Sequence, residues 1–250
     1  MKLPPDQRPH FITLHYANVD SAGHKYGPNS RETSDAVRHV DEMIGKLVTG
    51  LSALSLPVDL FVVSDHGMDQ EQGDWILLDK YADLSKFQGA GSLMYAPSEA
   101  DAEKAYEQLK GASDKFEVYR RAAVPPSLHY NDNPREGDPV VVATGPYEIM
   151  AKTPDADHPL RAPNHGVHGY DPALLPNMRA IFYAAGPDIR PGVTVAPFEN
   201  IHIYPLIAKI LGLRIGNVDG KLEVLQPILR EPQKTAASAL SSEMLTAVSH

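Results

Sequence analysis

The sequence has no cysteine, no long apolar run and no excess of positive charge. Without cysteine there is no thiolate nucleophile, no disulfide and no Cys-type zinc site. No apolar run approaches the ~18 residues that a membrane span needs, and residues 1–11 lack the apolar core of a signal peptide. The net charge of −9 disfavours binding to a nucleic-acid duplex or an anionic membrane surface. Eleven histidines are present, and their positions are informative.

Alternating strand and helix patterns predict an α/β fold with a mostly parallel sheet flanked by helices. An aromatic and β-branched stretch at 10–16 predicts a strand, and a continuous apolar run at 60–63 predicts a buried one. Between them, apolar residues recur at helical spacing, which completes a βαβ unit. Further predicted strands cover 91–97, 115–121, 138–144 and 180–184. Two further helices are predicted, one at 98–110 that is capped by Ser98 and one at 199–211 that is ended by Gly212.

The organisation along the chain predicts one domain over residues 1–230. Within it, residues 88–155 are less regular, with a proline-rich loop between two predicted strands, and we interpret them as an inserted subregion. Residues 231–250 are rich in Ala, Ser and Thr with weak periodicity, which predicts a loosely ordered tail.

Three groups of acidic and histidine side chains indicate a metal site. Asp20 and His24 flank the small residues Ser-Ala-Gly, which would let a tight turn bring both side chains to one point; a helix start capped by Asp20 or Ser21 is the alternative. Asp65 and His66 follow the apolar run at 60–63, at the carboxyl end where α/β sheets bind ligands. The alternative there is a turn with a solvated Asp-His pair.

The third group lies in a glycine-punctuated loop before the strand predicted at 180–184. His165 and His168 are three residues apart, and a surface loop with incidental histidines is the alternative. Oxygen and imidazole ligands without thiolate suit zinc or another divalent transition metal. Five strong ligands exceed one tetrahedral ion and indicate two, which is a common arrangement for phosphoryl transfer.

The motifs "DSAGHKYGP", "SDHGM" and "HGYD…MRAIFYAAGPD" resemble those of the nucleotide pyrophosphatase/phosphodiesterase (type I phosphodiesterase) family of the alkaline phosphatase superfamily. The resemblance covers most of residues 10–215. It implies an alkaline-phosphatase-like fold and two zinc ions, one bound by Asp20, His24 and His168 and the other by Asp65 and His66. His165 matches no ligand position and is expected to contact the ligand residues rather than the metal.

The resemblance also implies features that this sequence does not show. The family's nucleophilic Thr or Ser and a further metal-binding Asp precede the "DSAGH" motif, so we expect both upstream of Met1. The chain therefore resembles the C-terminal part of a catalytic domain that lacks its N-terminal portion. His15 stands where relatives carry an aromatic residue that stacks on the nucleobase, and it is expected to contact substrate.

The function implied is metal-dependent hydrolysis of phosphodiester or pyrophosphate bonds in nucleotides or related small-molecule esters. The alternatives are an inactive metal-binding remnant of such an enzyme and another phosphotransferase of the superfamily. Sheet edges exposed by a missing portion would favour self-association. Relatives are commonly periplasmic or extracellular, and the localisation stays open because no signal peptide is predicted here.

Overall fold

The computed structural model describes residues 3–54, 56–73, 75–89, 91–131, 133–154 and 164–230. Helices in these ranges are α1 (Asn18–Tyr26), α2 (Arg31–Ser52), α3 (Glu99–Leu109), α4 (Ile203–Ile210) and α5 (Leu222–Leu225). No helix in the described ranges has the length and apolarity that a membrane span requires. Short 3₁₀ turns connect several of the other segments.

The strands form four two-stranded ladders among the described residues. They are β1 (Leu60–Val63), β2 (Asp69–Gln70), β3 (Ile76–Leu77), β4 (Phe116–Tyr119), β5 (Val140–Ala143), β6 (Ile149–Met150), β7 (Gly166–Val167) and β8 (Phe182–Ala185). The pairs β1–β8, β2–β7 and β4–β5 are antiparallel, and β3–β6 is parallel.

The chain divides into two compact units, each with its own apolar core. One unit comprises Leu14–Gly50 and Ser64–Ile181, and its core combines buried side chains of β3, α3, β4 and β5 with those of connecting segments, such as Leu78 and Met94. The other comprises the remaining segments. In its core, Leu206 and Leu225 pack with Phe61 and Phe182 from one face of the β1–β8 ladder.

Several predicted elements are confirmed. Helix α2 begins after Ser30, whose hydroxyl accepts a hydrogen bond from the N–H of Thr33 at 3.1 Å. Helix α3 begins after Ser98, whose hydroxyl accepts from the N–H of Asp101. Strands β4 and β5 lie within the predicted stretches, and β8 begins two residues later than the predicted stretch at 180–184. Helix α4 ends before Gly212, which has a φ of +66°.

Other predictions of local structure are wrong. Residues 10–16 are not a strand, because no described strand pairs with them, and their apolar side chains Phe11, Ile12 and Leu14 are exposed. Residues 91–97 contribute only an isolated bridge at Tyr95. The run at 60–63 is a strand, but it pairs antiparallel with β8, so the predicted βαβ unit does not form among the described residues. The predicted parallel pairing is represented there by β3–β6 and by an isolated bridge between Tyr95 and Asp138.

Helix α2 is amphipathic, yet its apolar side is largely open to solvent. Thr33 is its one buried residue, and Val37 and Val48 are 50% and 42% exposed. A helix of this kind normally buries its apolar stripe against another element.

The subregion at 88–155 contributes α3, β4 and β5 to the core described above, and the predicted tail at 231–250 lies outside the described residues.

Candidate metal centre

Asp20 and His24 lie on helix α1 rather than on the predicted tight turn. Residues four apart on a helix share one face, so the helix itself brings the two side chains together. The helix begins after Ala17, so neither Asp20 nor Ser21 is its N-cap. Gly23, between them, is buried where a Cβ would collide with the sulfur of Met68. The small residues of the motif therefore allow close packing of α1.

Three ligand atoms converge on one point. Asp20 Oδ1 lies 3.4 Å from His24 Nε2 and 3.6 Å from His168 Nε2, and the two nitrogens are 3.1 Å apart. Atoms held about 2.0–2.2 Å from one tetrahedral zinc ion lie about 3.3–3.6 Å from each other. The observed triangle has almost these dimensions.

The carboxylate oxygen at this point is buried without a hydrogen bond. Asp20 Oδ1 has no donor among the described groups, although it faces two imidazole rings. A buried carboxylate oxygen left without a partner is costly. A cation between the three atoms would satisfy it, so the donor set and its geometry fit a divalent metal.

The hydrogen bond of His24 Nδ1 determines which of its ring nitrogens can bind a cation. Its Nδ1–H donates to the carbonyl oxygen of Gly166 at 2.8 Å, and a carbonyl can only accept, so the neutral ring presents a lone pair at Nε2. Burial lowers the pKa of His168, and the nearby rings of His66 and His24 lower it further. The lowered pKa favours the neutral, ligating form of His168.

Asp65 and His66 reach the same cluster by a different route. The His66 ring stacks on that of His168, with centroids 3.5 Å apart and 13° between the planes. One ligand atom each of Asp20, His66 and His168 lies within 4.8 Å of the others. His66 Nε2 is 3.6 Å from Asp65 Oδ1, but the Asp65 side chain is 85% exposed. All five predicted ligands therefore form one chain of contacts, which ends at the exposed Asp65.

Gly67 lets this segment approach its neighbour. Its N–H donates to the carbonyl of Met178 at 2.8 Å, and a Cβ would collide with the Asn177 carbonyl. Ser64 is also engaged with the backbone, since its N–H donates to the Ile181 carbonyl and its hydroxyl accepts from the Ile181 N–H. These bonds fix the backbone on both sides of Asp65 and His66.

The β2–β7 ladder, which the sequence did not reveal, joins the second motif to the third. Asp69 pairs with Val167 and Gln70 with Gly166, so the segment after His66 lies beside the segment before His168. Two-residue strands show no alternation that a sequence pattern could detect. Gly166 and Gln70 were therefore missed as supporting residues, although each lies two residues from a quoted motif.

The other two predicted site residues have limited contacts with the cluster. His165 is exposed, and it supports α1 through its backbone, because its N–H donates to the carbonyl of His24 at 2.8 Å. His15 is exposed and lies just before α1. Their predicted roles, at the ligands and at the substrate, stay predictions.

Comparison with known proteins identifies the class. The family model described as type I phosphodiesterase / nucleotide pyrophosphatase matches residues 1–171, and the chain belongs to this family. Human ectonucleotide pyrophosphatase/phosphodiesterase family member 7 is 34% identical over 233 residues, which are 88% of this chain and 49% of that protein. Human family member 1 is 31% identical over 94% of this chain and 26% of its own length.

Solved structures confirm the fold. Murine ectonucleotide pyrophosphatase/phosphodiesterase 5 superposes with a TM-score of 0.73 at 30% identity, over 84% of this chain and 56% of that one. The α/β, alkaline-phosphatase-like class expected from the motifs is therefore confirmed. The chain spans about half the length of human family member 7 and of the murine structure.

Proposed function

We propose that this chain carries the metal-binding residues of an enzyme that hydrolyses phosphodiester or pyrophosphate bonds of nucleotides or related esters. The observation that carries the proposal is the triangle of Asp20 Oδ1, His24 Nε2 and His168 Nε2, with its buried oxygen that lacks a hydrogen bond. Family membership supports the reaction class, because the relatives are named as pyrophosphatases and phosphodiesterases.

The metal is zinc in this proposal, and the first ion is bound by Asp20, His24 and His168. Three protein ligands with an open fourth position are typical of catalytic zinc. When bound, zinc supplies a Lewis acid that stabilises negative charge on a phosphoryl oxygen. Neutral imidazoles at His24 and His168 hold the ion, and the Asp20 carboxylate offsets part of its charge.

Asp65 and His66 hold a second, weaker ion in the same proposal. Two ligands leave this second position incomplete, and Asp65 is mostly exposed. Metal analysis of the zinc-loaded protein should therefore give nearer one zinc per chain than two.

Nucleotide binding that depends on zinc tests the proposal directly. A murine relative has been solved as an inactive variant in complex with AMP, so AMP is the probe. Calorimetric titration should show AMP binding to the zinc-loaded protein and none after chelation, while Lys46→Ala, an exposed change on α2, should bind as wild type. AMP binding that is equal with and without zinc, or a folded protein that takes up no zinc, would contradict the proposal.

We further propose that no Ser or Thr of these motifs acts as the nucleophile. Ser64 is next to Asp65, but its hydroxyl is held by the N–H of Ile181. Hydrolysis of bis-p-nitrophenyl phosphate by this chain alone should thus fall far below the usual range of about 1–1000 per second. Turnover within that range, lost on Asp65→Ala, would show that a residue of this chain attacks phosphorus. A preference for the monoester would favour another superfamily phosphotransferase.

Self-association of this chain is a separate proposal, with a second copy as the partner. The apolar stripe of α2 is open, and β1 pairs only with β8 among the described strands. A twofold axis would let two identical stripes cover each other. Sedimentation velocity should show mass rising with concentration, and Val48→Glu should reduce it where Lys46→Glu does not. A monomer at all concentrations up to about 100 μM would contradict this proposal, since weak specific dimers lie in the micromolar range.

A further inference from the structure

We propose that Gln70 is a positioning residue for the metal centre, acting through the backbone of His165. This inference rests on the proposed zinc site and adds to it a residue that contacts neither metal nor substrate. Gln70 lies on β2, and its side chain leaves the strand to bridge two segments that carry ligands.

The first part of the bridge is a hydrogen bond to the segment before His168. Gln70 Nε2–H donates to the carbonyl oxygen of His165 at 2.6 Å, and the same oxygen accepts from the N–H of Glu71 at 2.9 Å. His165 in turn donates its N–H to the carbonyl of His24 at 2.8 Å. The backbone of one residue, His165, therefore connects the Gln70 amide to the turn of α1 that carries His24.

The second part of the bridge is at the end of α1. Gly27 follows the helix with a φ of +90°, and a Cβ at this position would lie 2.6 Å from Gln70 Oε1. Only glycine adopts this backbone conformation easily and leaves the space that the amide occupies. The Gln70 amide is thus held between the C-terminus of α1 and the carbonyl of His165.

The consequence for the metal centre follows from the neighbouring peptide. The next carbonyl, that of Gly166, accepts from His24 Nδ1 and sets the direction of His24 Nε2. His168 follows two residues later on the same segment. Loss of the Gln70 hydrogen bond should let this segment shift relative to α1. The shift would increase the distance between His24 Nε2 and His168 Nε2, which is 3.1 Å. Removal of a group that hydrogen-bonds to a metal ligand typically weakens metal binding about 10–100-fold.

The experiment compares Gln70→Ala and Gln70→Glu with wild type and with Gln72→Ala. Glutamate has the same length but no N–H to donate, and Gln72 is an exposed neighbour whose backbone N–H, bonded to Pro146, is unaffected. Zinc affinity is measured by competition with a chromophoric chelator. The absorption bands of the Co²⁺-substituted protein report ligand geometry, and thermal unfolding without metal reports the fold.

Both Gln70 variants should bind zinc about 10-fold or more weakly, with altered Co²⁺ bands, while their unfolding without metal stays close to wild type. Gln72→Ala should match wild type throughout. If the wild-type protein binds zinc and both Gln70 variants keep its zinc affinity and Co²⁺ bands, this inference is overturned and the proposed function is not. Failure of the wild-type protein to bind zinc would overturn the proposed function as well. If Gln70→Ala unfolds, the zinc affinity and Co²⁺ bands of the isosteric Gln70→Glu variant test the inference.

Discussion

Removal of the His168 imidazole is the sharpest perturbation of the proposed metal centre. His168 Nε2 is close to both Asp20 Oδ1 and His24 Nε2, and its ring stacks on His66. His168 is therefore a ligand of the first proposed ion and also stacks on a ligand of the second, whereas Asp65 lies against His66 and is mostly exposed. His168→Ala should weaken zinc binding far more than Asp65→Ala.

The magnitude follows from the share of one ligand in the binding free energy. Four-ligand zinc sites in peptides provide about 12 kcal/mol, so one ligand contributes about 3 kcal/mol, or about 100-fold in affinity. Zinc at 100 times the wild-type dissociation constant stabilises the folded protein by about 2.7 kcal/mol, which raises Tm by about 5–10 °C at this chain length. At the same zinc concentration, the variant gains about 0.4 kcal/mol, or about 1 °C.

The assay is thermal unfolding with and without zinc, with chelator competition to measure affinity. His39→Ala, an exposed histidine on α2, is the matched control and should keep the full zinc-dependent rise in Tm. A His168→Ala protein that folds without metal yet retains the wild-type rise would refute the ligand assignment. An equal loss in His39→Ala would show that zinc binds histidines indiscriminately.

Three further outcomes test packing and charge pairing in the unit that contains the site. Gly23→Ala should cost about 1–3 kcal/mol in urea unfolding, because the new methyl group meets Met68, whereas Gly45→Ala in open space on α2 should gain about 0.5–1 kcal/mol. Arg120→Met should cost about 2–3 kcal/mol, since it leaves Asp138 largely buried without its guanidinium partner; Arg31→Met, at an exposed ion pair, should cost under about 0.5 kcal/mol. Burial raises the pKa of Asp138, but hydrogen bonds from Arg120 and the Arg121 N–H outweigh it and lower the pKa below 3.8. That stabilisation is present above this pH and is lost as the pH falls through the lowered pKa, so the cost of Arg120→Met should shrink below about pH 4. An equal cost for Gly23→Ala and Gly45→Ala, or a cost of Arg120→Met that does not change with pH, would contradict these accounts.

The clustering of the predicted site residues was predictable from the sequence because acidic and histidine side chains are chemically distinctive and lie within short motifs, while their role as metal ligands stays a prediction. Asp20, His24, Asp65, His66 and His168 all lie in one contact chain, as the motif resemblance implied. The local conformation of the first motif was not predictable in the same way. Small residues between Asp20 and His24 allow a tight turn or a closely packed helix, and only the contact of Gly23 with its surroundings decides between them.

The sheet was harder to predict than the helices. Helix α2 and helix α3 follow from local periodicity and from the caps Ser30 and Ser98. Strand pairing depends on residues far apart in the sequence, and the apolar run at 60–63 does not specify a parallel or an antiparallel partner. The extended stretch at 10–16 has strand-like composition, but a strand also requires a neighbour for its backbone groups.

The connection between His24 and Gly166 joins residues 142 positions apart in the sequence. A ligand set assembled over such a distance exists only after most of the unit has folded, because the chain must close that long loop first. An ion held there leaves when α1 separates from β7 or the ligands are exchanged. Where the rate at which a strong chelator extracts zinc does not depend on chelator concentration, that rate would measure how often this region opens in the native protein, a motion that equilibrium unfolding does not detect.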